Sequence, residues 1–72
     1  SSEESEDPRV SACLKDYKKF IDQEDFKSAL PVAEELTMLR NNVRDWFRKG
    51  ECLRELKKPE EAIIAINKAK ES

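Results

Sequence analysis

At 72 residues and 8.4 kDa the chain is one small domain, with little room for both a ligand cavity and a core to support it, which argues against most enzymes. Hydrophobic residues at 38% and charged residues at 42% fit short amphipathic helices with a charged exterior, and one Gly with three Pro excludes a flexible linker. There is no His, so the commonest general base and metal ligand are missing; no long apolar run and no charged-then-apolar start is present, so neither a membrane span nor a secretory signal is read, and a cytoplasmic (cytosolic or nuclear) protein is the expectation.

The net charge of −2 is unevenly placed: residues 1–7, SSEESED, hold four acids and no base, leaving a balance of +2 for residues 8–72. Polar throughout, this acidic tail cannot bury enough surface to offset its ordering entropy and is expected to be disordered. Ser1, Ser2 and Ser5 among Glu3, Glu4, Glu6 and Asp7 form an acidic serine cluster open to phosphorylation.

Order is expected from Asp7-Pro8, an N-cap acid followed by Pro at the first helical position. Val10, Cys13, Leu14, Tyr17, Phe20 and Ile21 follow at helical spacing, and the stripe stops at Asp22. Gln23-Glu24-Asp25 makes a turn, with Asp25 as cap of a second stripe of Phe26, Ala29, Leu30, Ala33, Leu36 and Leu39. Pro31 then falls at about the sixth position of that helix, where a missing hydrogen bond predicts a kink. A start at Ser28 would instead put Pro31 in the tolerated first turn, and the sequence leaves both starts open.

Asn41-Asn42 supplies a turn and an N-cap, with Asp45 as the far half of a partial capping box. Val43, Trp46, Phe47, Gly50, Leu53 and Leu56 mark a third helix, which Lys57-Lys58-Pro59 breaks. Pro59 can open a fourth helix, whose positive end suits Glu60 and Glu61. Its expected buried stripe is Ala62, Ile63, Ile66 and Ala69, which leaves Ile64 and Ala65 on the outside. The reading is an all-α domain over residues 8–72, built of two antiparallel helical hairpins, 8–40 and 42–71. Two such hairpins leave apolar surface uncovered, so a further helix or a second copy of the chain is expected to pack over Ile64 as a self-association or capping surface.

Cys13 and Cys52 stand 39 residues apart with no CxxC, and both fall on apolar helix sides, so they read as free thiols acting as small hydrophobes. No metal constellation, Gly-rich phosphate loop or nucleophile–base pair can be assembled, so neither cofactor nor enzymatic activity is expected.

A shift of 33 residues pairs Cys13 with Trp46, Phe20 with Leu53, Phe26 with Pro59, Ala29 with Ala62 and Leu36 with Ala69. Helix–turn–helix units at this period are the mark of helical repeat arrays. The run NNVRDWFRKGECLRELKKPEEAIIAINKA, with Trp46, Gly50, Leu53, Ala62, Ile66 and Ala69 in order, resembles a tetratricopeptide repeat over residues 42–70; residues 10–40 resemble it more loosely. The resemblance implies that the hairpins stack as tandem repeats, a fragment of an α-solenoid. In the first copy Tyr17 stands where the second has Gly50, and Ala33 where it has Ile66, which implies a wider first hairpin or an inserted ring.

By the same resemblance, the first helix of each repeat lines a concave groove, here through Ser11, Leu14, Lys15 and Lys18, then Arg44, Phe47, Arg48 and Glu51. NVRDWFRKGE is similar to the last groove-lining helix of chaperone-binding co-chaperones, whose basic pair clamps the carboxylates of chaperone tails. Arg44 and Arg48, four residues apart on one helical face, can jointly hold a carboxylate or phosphate. The matching position for the family's carboxylate-binding Asn is Lys15, and a further repeat with its Lys and Asn has no counterpart, so the clamp is incomplete. Phe47 and Leu14 would be the apolar anchors.

The leading expectation is therefore a non-enzymatic interaction module for an acidic peptide or partner segment, such as an acidic C-terminal tail, with the acidic N-terminus as a competitor for the same groove. The alternative is a structural assembly or self-association piece of a larger helical-repeat protein. A nucleic-acid reading, from the bases interleaved with aromatics in KDYKKF and RDWFRKG, is set against the acidic overall balance and the core position of Trp46.

Overall fold

The computed structural model describes residues 7–71, where the chain is all-α: α1 (Pro8–Asp22), α2 (Phe26–Arg40), α3 (Val43–Glu55) and α4 (Pro59–Glu71). The expectation of a disordered acidic tail falls on residues 1–6, outside the described residues. Asp7, its last residue, is the N-cap of α1 and accepts the Arg9 N–H at 2.8 Å, with Pro8 in the first helical turn. Asp25 accepts the Ser28 N–H at 3.2 Å and so starts α2 at Phe26, the earlier of the two starts the sequence allows. Pro31 lies inside α2 on its exposed side, where water can reach the carbonyl left without a helical donor. Asn42 caps α3 by accepting the Arg44 N–H at 2.8 Å.

The period of 33 residues recurs in the backbone. Glu24 and Lys57, one period apart, both adopt positive φ, 57° and 65°. The Asp25 N–H donates to the Phe20 carbonyl and the Lys58 N–H to the Leu53 carbonyl, each at 2.8 Å. Glu24 donates to Ile21 and Lys57 to Arg54 in the same way. Both hairpins thus turn through the same helix-terminating motif, with a left-handed residue where glycine is usual. Asn41 closes α2 with φ 45° and returns its N–H to the Thr37 carbonyl; asparagine is among the residues that tolerate this region.

Packing runs α1 on α2, α2 on α3 and α3 on α4, and among the described residues α4 does not return to α1. The molecule is a slab of 38 × 30 × 14 Å. In the first hairpin Tyr17 packs with Ala29 and Ala33, and Val10 and Cys13 pack with Leu36. Cys52 from α3 joins the first of these groups, and Leu30 from α2 packs against Leu53, Ala62 and Ala65 of the second hairpin, so the two hairpins share core.

The stripe of α4 differs from the sequence expectation. Ala62, Ala65 and Ala69 are buried, whereas Ile63 is 58% exposed. The reason is Gly50: a Cβ there would lie 2.9 Å from Ile66 Cγ1 and 3.3 Å from the Ala62 carbonyl oxygen. With the backbones this close, α4 presents alanines to α3 and lays Ile66 over the glycine, which rotates Ile63 outward.

Candidate functional site

Tyr17 is where α1 and α3 meet. It is buried, the Cys52 thiol donates to its hydroxyl at 4.0 Å, and the Arg48 guanidinium carbon stands 5.7 Å from its ring centroid. Burial pushes the Tyr17 hydroxyl upward and raises the Cys52 thiol, the latter against the lowering effect of its hydrogen bond with Tyr17. Burial likewise raises the Cys13 thiol, so neither cysteine has an environment that favours a nucleophilic thiolate.

Arg48 has a second partner that the sequence did not reveal. Asp45 is fully buried, and its Oδ1 accepts from Arg48 Nη1 at 2.6 Å while its Oδ2 accepts from Arg40 Nε at 2.7 Å. Instead of reaching back as half of a capping box, this carboxylate ties α3 to the end of α2. Arg40 comes from the preceding helix, so no spacing within α3 could have announced it. The consequence for the groove is direct. Arg48 already pairs with the Asp45 carboxylate, while Arg44 forms no ion pair among the described residues.

The other groove residues fall as follows. Lys15, Lys18 and Arg44 are exposed and form no ion pair among the described residues, and Ser11 and Glu51 are exposed beside them in sequence order. Leu14 is half-buried against Val10, Cys13 and Leu36, so most of its surface serves the core. Phe47 is 47% exposed and turns to the outer side of the second hairpin, where it lines an open hollow of about 260 Å³ with Gly50, Glu51, Arg54 and Ile66.

Ile64 is 68% exposed, but it lies elsewhere: a smaller hollow of about 170 Å³ groups it with Trp46, Leu53, Ala65 and the charged Glu34, Lys49 and Glu61. There Lys49 Nζ sits 5.3 Å from the Trp46 ring centroid and 3.8 Å from Glu34, and the Trp46 indole N–H donates to Asn41 at 2.7 Å. The indole is thus held in place by its polar edge.

Among the described residues no group of three His, Cys, Asp or Glu could hold a metal ion, and no helix is long and apolar enough to cross a membrane. No family model, curated protein or solved structure matches the chain.

Proposed function

We propose that the protein is a non-enzymatic interaction module of the tetratricopeptide type, which binds an acidic segment of a partner protein across the outward surfaces of α1 and α3. One observation carries this reading. Side chains of α1 and α3 meet at Tyr17, and of the basic residues on these two helices the exposed Lys15, Lys18 and Arg44 have no acidic partner among the described residues. The repeated turn at a 33-residue period supports the repeat assignment, and two buried free thiols suit a reducing, cytoplasmic setting.

The binding chemistry in this reading is distributed charge and not a two-arginine clamp. Lysines act as point donors and adapt to carboxylates in several geometries, so an extended segment with several Asp or Glu, or a chain end with its free carboxylate, is the form of partner that fits. Each exposed contact contributes only about 0.2–1 kcal/mol, so affinity is modest and falls with salt.

The test is a fluorescence titration of an acidic peptide with a free C-terminus against wild type and the triple reversal Lys15→Glu, Lys18→Glu, Arg44→Glu, at low and high salt. Binding that weakens by roughly tenfold or more in the variant, and that weakens with salt in wild type, is expected. Equal affinity for the two proteins refutes the assignment. Arg48 is left intact because its loss would also expose Asp45.

A further inference from the structure

We propose that the outer face of the α3–α4 hairpin is a dimerisation surface, covered by the same face of a second copy of this chain across a two-fold axis. The molecule already uses the equivalent face of its first hairpin. On α1, Leu14, Tyr17 and Ile21 share one side, and at its centre Tyr17 meets the Arg48 and Cys52 side chains of α3. One 33-residue period later the same side of α3 carries Phe47, Gly50 and Arg54. With Glu51 and Ile66 these residues line the open hollow, and no helix covers them among the described residues. Ile63, 58% exposed and one turn before Ile66, extends the apolar surface along α4.

Two features select a copy of this chain, face to face, as the occupant. The first is where the apolar side chains are. Among the described residues the exposed large hydrophobics are Met38, Val43, Phe47, Ile63 and Ile64, with none on α1. The outward side of α1 offers Ala12, Lys15, Asp16 and Lys19. Head-to-tail stacking would set Phe47 and Ile63 against those charges and would continue without closing, whereas pairing like faces buries apolar against apolar and stops at two.

The second feature is charge. Glu51 and Arg54 are both exposed, lie in the same hollow one turn apart, and form no ion pair among the described residues. Two antiparallel α3 helices related by a two-fold axis bring Glu51 of each copy opposite Arg54 of the other, so a single surface supplies two reciprocal pairs. The contact is small. Two helices of 13 residues, about 20 Å long and about 10 Å apart, offer a footprint of roughly 400 Å², below the ~800 Å² per partner of stable complexes. The dimer is therefore weak and depends on concentration.

The test is sedimentation equilibrium of the full 72-residue chain in reducing buffer from micromolar to millimolar concentration, without peptide. The expected mass rises from 8.4 kDa toward twice that value. Glu51→Arg and Arg54→Glu each weaken association by about tenfold, and the combined swap recovers wild-type association to within about threefold. Ile63→Lys also weakens it, and circular dichroism shows unchanged helicity for all four variants, since the residues are exposed. A mass of 8.4 kDa at every concentration would mean that a different protein or a further helix takes this face, and would overturn the proposal. So would a dimer indifferent to these reversals, or one that the double swap fails to restore. Because the readout is mass and Lys15, Lys18 and Arg44 stay untouched, its failure is distinct from that of the peptide-binding reading.

Discussion

The two hairpins turn in the same way and fill the space behind the turn in opposite ways. The first places a large side chain on its leading helix and a small one on its returning helix, Tyr17 over Ala29 and Ala33. The second places the small residue first and the large one second, Gly50 under Ile66. The consequences differ. A ring on α1 reaches beyond its own hairpin to Arg48 and Cys52, so the first hairpin is knit to the second, whereas a glycine on α3 reaches nothing and leaves Phe47 and Ile66 at an open edge. The Tyr17 ring is seated among Ala29, Ala33 and Cys52.

The largest expected effect breaks this arrangement at its anchor. Tyr17→Ala removes a buried ring and its contacts on two helices, at a cost of about 3–4 kcal/mol, a large share of the total for a domain of this size. Urea unfolding followed by helicity measures it. Converting the second hairpin to the first tests complementarity itself. Gly50→Tyr alone forces a ring into the place of Ile66 and is expected to cost about 3 kcal/mol, since even a Cβ would stand 2.9 Å from Ile66 Cγ1. Adding Ile66→Ala recreates the Tyr17 and Ala33 pairing and is expected to recover at least about half of that loss. If the double variant is less stable than Gly50→Tyr, the two fillings are not interchangeable and the comparison fails.

A second contrast concerns Asp45 and Ala12, which occupy the same place in the repeat, 33 residues apart. Ala12 is exposed, with no helix packed outside α1 among the described residues, while Asp45 is fully buried because α2 supplies Arg40 against it. The same kind of change therefore has unequal results. Asp45→Ala leaves two guanidiniums, each about a quarter exposed, without their common acceptor and is expected to cost about 2–3 kcal/mol. Ala12→Asp is expected to stay within about 0.5 kcal/mol of wild type. Thermal melts of the two variants decide it, and comparable shifts would show that Asp45 is not the tie between α2 and α3.

Local features of the fold were legible. The caps at Asp7, Asp25 and Asn42, the break before Pro59 and the four helices of the described residues follow from residues adjacent in the chain. What was not legible depends on how far one helix turns about its own axis when another approaches. Ile63 and Ala65 exchange places because α4 comes close to Gly50 with Ala62 and Ile66 against it, which leaves Ile63 on the exposed side and Ala65 inside. Asp45 read as a cap because its true partner, Arg40, lies across a turn on another helix. For the candidate site, the exposed Lys15, Lys18 and Arg44 could be named in advance, but the removal of Arg48 from the free set follows from Asp45 and could not.

The smallest expected effect separates the hairpins by acid. The first opens on an ionisable cap, Asp7, and the second on a neutral one, Asn42. Hydrogen bonds from the Arg9 guanidinium, then from the Arg9 N–H, lower the Asp7 carboxyl from its ordinary 3.8 to about 2. A depressed carboxyl contributes its stabilisation fully above the unfolded value and loses it as pH falls from 3.8 through about 2. In that window the start of α1 is expected to fray while the start of α3 holds. Amide hydrogen exchange at Arg9 and Val10, set against Trp46, reads the difference directly. Other carboxylates titrate over the same range, so the control is Asp7→Asn, which caps by its neutral amide. In that variant the acid-dependent rise in exchange at α1 should vanish, because Asn donates no proton equilibrium to the cap; a rise that persists would place its origin elsewhere in the first hairpin.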